Sequence, residues 1–473
     1  MQFFYTKERE IFKIVIIEKN LMATSQILQL NPIINEKKEI KSDYCQDLMA
    51  LFLDLNNFNN RNNDNIIKKW NQAEYRFYYE FLDYEKNVPY YYSNLDNYNL
   101  FMIPDIMIML GLNIFPFLEQ YTNIALEINI EQQLIRYKLI SYFSKILPKE
   151  QLDFGIDLID SILFGKQSYW DKIKQNELYK TMEIYLSHLE KNQKFLYKRP
   201  FQILVTALMS AGKSTFINAL TGKNVCKTEN QACTSKIHSI IGKAYDDGFI
   251  YKYDYDLKLN NSKDELLHNA TSNFTDKINI ATYFDGELAG KRIIINDSPG
   301  VNSSTNQDHK LVTEKMIEEK EFGLIIYILN YSNQLPDDEI AHLQFVKNNI
   351  GNKDILFVVN KIDEHDPDNK YENYITNLNT IKSVLEKEGF QSPKVCPISA
   401  KAGILYRQNK EDEIEKEKQF YSFIDTLEKI KLVDYYQKEF STITVDDREK
   451  EEQQLWKTSG LAYVEKIINN FVK

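Results

Sequence analysis

One lysine among small and hydroxyl-bearing residues marks the stretch Ile203 to Thr215, which reads ILVTALMSAGKST. Small residues allow successive backbone N–H groups to curl around phosphate oxygens, and a helix that begins there points its dipole at the anion. Lys213 then supplies charge to the β- and γ-phosphates, and the Ser214 hydroxyl is placed to bind Mg²⁺. The stretch therefore predicts a phosphate-binding loop. The residues expected to line it are Met209, Ser210, Ala211, Gly212, Lys213, Ser214 and Thr215.

One position departs from the pattern G-x-x-x-x-G-K-[ST], because Ala207 occupies the place of its first glycine. Alanine fits at this position if its φ angle is negative, since only a positive φ strongly favours glycine. Taken alone, the stretch leaves a chance turn open as the alternative to nucleotide binding.

Two further segments offer groups for the γ-phosphate and its metal ion. Asp297 and Gly300 belong to the run DSPG, which directly follows a predicted strand. An aspartate at a strand end can hold Mg²⁺ through water, and the Gly300 N–H can approach the γ-phosphate because no side chain blocks it. Thr234 lies in the loop after the phosphate-loop helix, where a switch threonine would close over the metal and the γ-phosphate.

Two later runs, NKID and SAK, each follow a predicted strand and can recognise guanine. The Asp363 carboxylate can accept both the N1–H and the exocyclic amine, a pair of donors that adenine lacks. The Ala400 N–H can donate to guanine O6. Each motif alone is common, but their order along the chain, each after a strand, predicts GTP binding. The residues assigned to this part of the site are Asn360, Lys361, Asp363, Ser399, Ala400 and Lys401.

The elements that must position these residues alternate between strands and helices from Phe201 onwards. Apolar runs such as FGLIIYIL and DILFVV are typical of strands buried in a parallel sheet. The alternation predicts an α/β fold, the doubly wound and mostly parallel sheet of a P-loop GTPase, with a separate all-helical N-terminal domain. The expected domains are a poorly defined segment at 1–60, a helical domain at 61–199, and a GTPase domain at 200–473 with a helical insertion at about 404–455.

Local signals add two expectations about single elements. The dipeptide Asp247-Gly248 predicts a type I′ hairpin that joins a strand at His238 to Tyr245 with a strand at Phe249 to Leu257. The segment Trp170 to Leu196 predicts one long helix that stops before a proline.

The most apolar stretch of the chain runs from Leu100 to Leu118. Residues such as Pro104 and Asp105 interrupt it, whereas a transmembrane helix needs about 20 apolar residues without such breaks. A buried helical hairpin is the main interpretation, and an element that dips into a membrane is the alternative.

Length, charge and cysteine usage limit the class of protein. A chain of 473 residues predicts two or three domains, and a net charge of −10 argues against a general nucleic-acid-binding surface. The four cysteines form no C-x-x-C pair, so they are predicted to be reduced thiols of a cytoplasmic protein and not a zinc site. The N-terminus shows no signal peptide.

Several runs together resemble the bacterial dynamin family of large GTPases. They are MSAGKSTFINALTG, NQACT, NDSPGVNSS with His309 shortly after it, and VVNKID, and the resemblance covers about Phe201 to Lys473. It implies hydrolysis of GTP with Mg²⁺, weak nucleotide binding, and activation when two GTPase domains meet as a homodimer. It also leaves a monovalent cation open as a second cofactor. Ser210, Lys213, Thr234 and Gly300 would be the catalytic residues, and Ser214, Thr234 and Asp297 would hold the metal.

The sequence departs from that family at two places. Animal dynamins carry a catalytic glutamine where this chain has Met209, which cannot orient a water molecule, so Ser210 is the candidate for stabilising transition-state charge. The chain also stops before the long stalk of the family, so we expect the stalk to be missing, truncated or supplied by another polypeptide. A peripheral position at the inner face of a membrane is one expectation that follows from the resemblance.

Two other functions stay open at this point. One is a regulatory GTP-binding switch with little hydrolysis, which acts through its helical domain. The other is a ribosome-associated assembly GTPase, against which the acidic net charge argues.

Overall fold

The computed structural model describes residues 44, 46–48, 50–51, 98–109, 129–226, 237–246, 250–253, 257–258, 277–298, 316–317, 322–333, 335–351, 353–368, 373–408, 423, 425–445 and 456–472. The chain divides into two compact units, Met1–Lys198 and Arg199–Lys473. Thr234, Gly300 and residues 409–422, 424 and 446–455 of the predicted insertion at 404–455 lie outside the described residues.

The second unit is built on one sheet. Its strands are β1 (Phe201–Ala207), β2 (Ile237–Gly242), β3 (Tyr251–Tyr253), β4 (Leu257–Lys258), β5 (Lys277–Thr282), β6 (Ile293–Asp297), β7 (Leu324–Asn330), β8 (Asp354–Asn360) and β9 (Val395–Ile398). They form a nine-stranded sheet in the order β4-β3-β5-β2-β6-β1-β7-β8-β9. The block β6-β1-β7-β8-β9 and the pair β2-β5 are parallel, and the other pairs are antiparallel. The predicted mostly parallel α/β sheet is confirmed.

Helices cover both faces of this sheet. In β1, Ile203 and Val205 belong to one buried apolar cluster, and Leu204 belongs to the other. Because alternate residues of a strand point to opposite faces, burial of all three explains why the strand reads as a continuous apolar run. The helices of this unit are Lys213–Thr221, Asp337–Asn349, Tyr374–Lys387, Ala400–Gln408, Leu432–Glu439 and Leu461–Phe471.

The predicted hairpin at Asp247-Gly248 is wrong. Strand β2 pairs with β5 and β6, and β3 pairs with β5 and β4, so β5 lies between the two strands that the turn signal was expected to join. Ile278 and Ile280 of β5 are buried in the core. Burial of these apolar side chains stabilises the observed strand order, whereas the turn signal is only a local preference.

The first unit is helical where it is described. Its helices are α1 (Tyr98–Met109), α2 (Asn129–Phe143), α3 (Lys149–Phe164), α4 (Gln167–Ile173) and α5 (Glu177–Leu196). The prediction of a single helix for Trp170 to Leu196 is wrong, because the helix is interrupted at residues 174–176, between α4 and α5. Asn176 caps α5 by accepting a hydrogen bond from the Leu178 N–H at 2.9 Å, a preferred role of asparagine at a helix start.

The apolar stretch from Leu100 begins as the helix α1, and residues 110–118 lie outside the described part. Pro104 and Asp105 do not interrupt α1, contrary to the expectation. Asp105 is fully buried, and its carboxylate accepts hydrogen bonds from the hydroxyls of Tyr44 and Tyr185, so its polarity is satisfied inside the unit. No helix within the described residues has the length and apolar character needed to cross a bilayer.

We number these six helices, which belong to the described part of the second unit, α6 to α11 in the order given above. The described residues of the predicted motifs lie at the edge of the sheet where β1, β6, β8 and β9 end. These strands run in the same direction through the parallel block, so their carboxyl ends meet at one edge. This edge is where open α/β sheets bind ligands.

Candidate nucleotide-binding site

The phosphate loop connects the end of β1 to the start of α6. Ala207 is the last residue of the strand, and among the described residues the positive φ angles of the loop belong to Ser210, at 67°, and Gly212, at 86°. Ala207, at the first-glycine position, does not have a positive φ angle, so alanine fits there without backbone strain. The position of the loop that requires glycine is five residues later, at Gly212.

Gly212 is required for a second reason, which is the approach of Asn360. A Cβ atom on Gly212 would overlap the Asn360 side-chain nitrogen. That nitrogen donates to the Ala211 carbonyl at 2.9 Å, and the Asn360 side-chain oxygen accepts from the Ala400 N–H at 3.0 Å. Asn360 is buried, so both halves of its amide are used within the protein.

This geometry gives Asn360 a positioning role, because it ties the phosphate loop to the start of α9. The Ala400 N–H was expected to donate to guanine O6, but in this structure it donates to the Asn360 side-chain oxygen. Ser399 fixes the same turn from the other side. Its hydroxyl accepts from the Ala402 N–H at 3.1 Å, and its own N–H donates to the Ser459 carbonyl at 2.9 Å.

Asp363 lies in a short 3₁₀ turn, Ile362–Glu364, directly after β8. Lys361 precedes it in the left-handed region, at a φ of 70°, and its ammonium is 3.5 Å from the Glu364 carboxylate. The Asp363 carboxylate is half-buried and has no hydrogen-bond or ion-pair partner among the described residues. It therefore has acceptor capacity for a ligand at this edge. Lys401, on the exposed side of α9, places its ammonium 5.5 Å from the Phe423 ring centre.

Lys213 and Asp297 form the charged centre of the site. The Lys213 ammonium contacts the Asp297 carboxylate, and the two side chains are only 11% and 8% exposed. The parallel pairing of β1 with β6 brings the two side chains together, since Val205 of β1 is opposite Asp297 of β6. A nearly buried carboxylate beside the first turn of α6, where Ser214 lies, offers the hard oxygen donors that Mg²⁺ prefers. The residues present therefore fit this cation.

The remaining predicted residues differ in exposure. Met209 is 43% exposed and Ser210 is exposed at the tip of the loop, whereas Ser214 and Thr215 are half-buried. Thr234 and Gly300 lie outside the described residues, so the structure says nothing of their positions.

Sequence reasoning missed two residues that border this centre, Cys226 and His238. Both are buried, and His238 faces Asp297 across the antiparallel pair of β2 and β6. Burial raises the pKa of the Cys226 thiol well above its usual value, and the neighbouring carboxylate of Asp297 raises this pKa further. Spacing in the sequence gave no signal for this grouping, because the three residues come from separate segments. Cys226 and Cys396, the two cysteines among the described residues, are free.

Comparison with known proteins connects this geometry to a family. Residues 203–362 match the model of the dynamin family. An uncharacterized protein in the xynA 3′ region of Caldicellulosiruptor sp. (strain Rt8B.4) is 26% identical over 227 residues, which is 46% of this chain and 54% of that protein. The chain thus spans about half the length of this curated relative.

Among solved structures, a bacterial dynamin pair described as sensing and tethering membranes over long range is 17% identical, with a TM-score of 0.34. The match covers 92% of this chain and 61% of that chain. A single-residue variant of Era from Aquifex aeolicus bound to GDP.AlF4- is 17% identical, with a TM-score of 0.25, and the match covers 43% of this chain and 52% of that chain. The likeness to the dynamin family is therefore that of residues 203–362 in the sequence.

Proposed function

We propose, from the premise that residues 203–362 form a dynamin-family domain, that the protein binds GTP with Mg²⁺ and hydrolyses it to GDP and phosphate. The observation that carries this proposal is the joining of separate motifs by two side chains. Lys213 contacts Asp297, and Asn360 holds both the Ala211 carbonyl and the Ala400 N–H. Independent turn or cap roles for these motifs would not bring them to one edge of the sheet.

The phosphate loop would hold the triphosphate by its backbone N–H groups and by the N-terminus of α6. Lys213 would exchange the Asp297 carboxylate for phosphate oxygens, which frees Asp297 and keeps both charges compensated. Ser214, Thr234 and Asp297 would hold Mg²⁺, which when bound supplies positive charge against the phosphate oxygens.

Water is the nucleophile in this proposal. Its position rests on the main chain of Thr234 and on the Gly300 region, as the family resemblance implies. Ser210 would donate to the transferring phosphoryl group, and its exposed place at the tip of the loop favours that role. A preorganised donor aimed at developing charge is the usual source of such catalysis.

Guanine would be selected by Asp363, whose carboxylate has acceptor capacity for two adjacent N–H donors. Asn360 would keep the distance between phosphate loop and base pocket fixed, and Lys361 and Lys401 would line the pocket with their long side chains. A rigid spacing matters because it lets one nucleotide satisfy both ends of the site at once.

Assembly and location are further parts of the proposal. We expect a homodimer through the GTPase domains, with the helical unit as a neck or as a surface for a stalk-bearing protein. Peripheral membrane association and a monovalent cation at the dimer interface follow from the same resemblance and rest on the family alone.

The variant Lys213→Ala tests the central assignment. It removes a charge-assisted contact to the phosphates, worth about 1.5–3 kcal/mol, and also leaves the buried Asp297 carboxylate without its partner near the anion. We expect GTP affinity to fall at least about 100-fold, measured by fluorescence of a labelled guanine nucleotide.

Lys223→Ala is the matched control, because this lysine lies just after α6 and, among the described residues, its ammonium pairs with Asp246 alone, at 3.4 Å. It should bind GTP as the wild type does. Retained affinity in Lys213→Ala, with normal folding, would contradict the nucleotide-binding assignment.

A regulatory switch with little turnover is the second candidate, and Met209 favours it. This residue stands exposed where animal dynamins have a water-orienting glutamine. Single-turnover measurements separate the two functions. Bound GTP that is cleaved faster as protein concentration rises supports the hydrolase, whereas bound GTP that stays intact at every concentration supports the switch.

A further inference from the structure

Three buried side chains from separate segments converge beside the phosphate loop. The Cys226 sulfur, one His238 ring nitrogen and one Asp297 carboxylate oxygen all lie within 4.8 Å of one another. His238 and Asp297 are opposite each other across β2 and β6.

Cys226 is held in place by Asn218 on α6. The Asn218 amide oxygen accepts from the Cys226 N–H at 2.8 Å, and its amide nitrogen donates to the Cys226 carbonyl at 2.8 Å. Both backbone groups of the cysteine are therefore fixed by one buried side chain. This fixation leaves the thiol in a defined place relative to the strand ends.

The donor set distinguishes this cluster from a magnesium site. Mg²⁺ prefers oxygen ligands alone, whereas Zn²⁺ binds thiolate, imidazole and carboxylate at about 2.0–2.3 Å in tetrahedral geometry. Donor atoms of such a tetrahedron are about 3.3–3.7 Å apart, so donor atoms that lie within 4.8 Å of one another would have to close by at most roughly 1.5 Å. Three protein ligands leave a fourth position for water or an anion.

We infer that Cys226, His238 and Asp297 bind a thiophilic divalent cation of the Zn²⁺ class. On binding, the Cys226 thiol loses its proton to solvent and becomes a thiolate ligand, and Lys213 leaves Asp297. Because Asp297 then serves this cation, it is no longer available to the nucleotide-bound magnesium. Occupancy of the site should therefore stop GTP turnover, a consequence that rests on the proposed function, whereas cation binding itself does not.

Cobalt(II) is the probe for binding, because a thiolate ligand gives a charge-transfer band in the near ultraviolet and tetrahedral coordination gives intense visible bands. Full-length wild type should show both at one equivalent of Co²⁺, and Zn²⁺ should displace them. Cys226→Ala should lose the charge-transfer band and bind Zn²⁺ at least about 100-fold more weakly in competition with a chromophoric chelator. Cys396→Ala, which removes another buried free thiol, should retain the band.

Zinc inhibition of GTP turnover at fixed Mg²⁺ completes the test. Wild type and Cys396→Ala should lose activity as Zn²⁺ is added in equimolar amount, and Cys226→Ala should keep it. A wild type without a charge-transfer band, or a Cys226→Ala variant that retains it, overturns the site. A band with no effect of Zn²⁺ on turnover overturns the regulatory consequence. Wild type that binds cobalt but never hydrolyses GTP contradicts the proposed function and leaves the cation site supported.

Discussion

Asp363 is the residue to which the proposed function assigns selection of the base. Asp363→Asn replaces a carboxylate that accepts two donors by an amide that both donates and accepts. Loss of hydrogen bonds to a charged group costs about 1.5–3 kcal/mol, so GTP affinity should fall about 10- to 150-fold. Xanthosine triphosphate keeps the N1–H donor but has a carbonyl oxygen in place of the exocyclic amine, so it matches the amide and should gain affinity in competition binding.

Asp366→Asn is the matched control for this change, because Asp366 lies three residues further on and, in the described part of the chain, its carboxylate accepts from the Asp368 N–H alone, at 3.0 Å. It should keep the preference of the wild type for GTP. Unchanged selectivity in Asp363→Asn would remove this residue from the base pocket.

Gly212 and Gly351 provide a matched pair for the contact with Asn360. Both have positive φ angles, 86° and 60°, but a Cβ atom on Gly212 would overlap Asn360, whereas one on Gly351 would meet nothing within 4 Å. Gly351→Ala should therefore cost only backbone strain, about 1–2 kcal/mol.

Gly212→Ala should cost more, because it also displaces Asn360 from the Ala211 carbonyl and the Ala400 N–H. Leaving buried partners unsatisfied adds about 1–3 kcal/mol, measurable by urea unfolding. Nucleotide affinity should fall in this variant alone. Equal losses of stability in both variants would mean that the Asn360 hydrogen bonds do not stabilise the phosphate loop.

Helix α7 carries a buried ionisable network beneath the sheet. Glu339 accepts from the Tyr327 hydroxyl at 2.7 Å, and His342 lies 3.1 Å from the Thr206 hydroxyl. Burial raises the pKa of Glu339 from 4.5 to about 7, although the Tyr327 hydrogen bond opposes this shift.

This raised pKa predicts a pH-dependent stability. Since the folded pKa exceeds the unfolded value, the contribution of Glu339 is fully present below about pH 4.5 and is lost as pH rises through about 7. Glu339→Gln keeps the hydrogen bond to Tyr327 but cannot ionise, so it should remove a decline of roughly 3 kcal/mol or less between these pH values. Urea unfolding at several pH values measures it.

Glu386→Gln, on the exposed side of α8, is the control and should retain the pH dependence of the wild type. A decline that survives in Glu339→Gln would have to come from another group. Glu465 is the first alternative, since burial raises its pKa to about 7 as well.

Strands and helices could be predicted from the sequence where a single local property determines them. Long apolar runs predicted β7 and β8 because strands buried on both faces need no polar alternation. The hairpin and the long helix failed because each depends on distant partners or on a single cap, namely β5 between β2 and β3 and Asn176 before α5.

At the site, the order of motifs predicted which residues meet at the edge of the sheet, and the structure brings Lys213, Asp297, Asn360 and Ala400 together. The place of Cys226 and His238 could not be predicted, because their approach depends on antiparallel pairing of β2 with β6. Short-range spacing contains no information about that pairing.

Arg407 on α9 connects several elements of the second unit. Its guanidinium donates to the Leu220 carbonyl at the end of α6, at 2.8 Å, and to Glu465 on α11, at 2.5 Å, and it lies 4.0 Å from the Trp456 ring centre. Nearly complete burial of the Arg407–Glu465 pair makes loss of either partner costly. The helix that begins at the phosphate loop is therefore fastened to the last helix of the chain.

The dependence of GTP turnover on protein concentration tests the proposal for the molecule as a whole. If two GTPase domains complete each other's sites, specific activity rises with concentration until the dimer is saturated, because the Met209 side chain cannot orient the attacking water in the isolated domain. The measurement is phosphate release per mole of protein across the dimerisation range, with sedimentation at the same concentrations. Activity and dimer fraction should rise together. A specific activity that is flat and very low, while GTP remains bound, would contradict dimer activation and favour the regulatory switch.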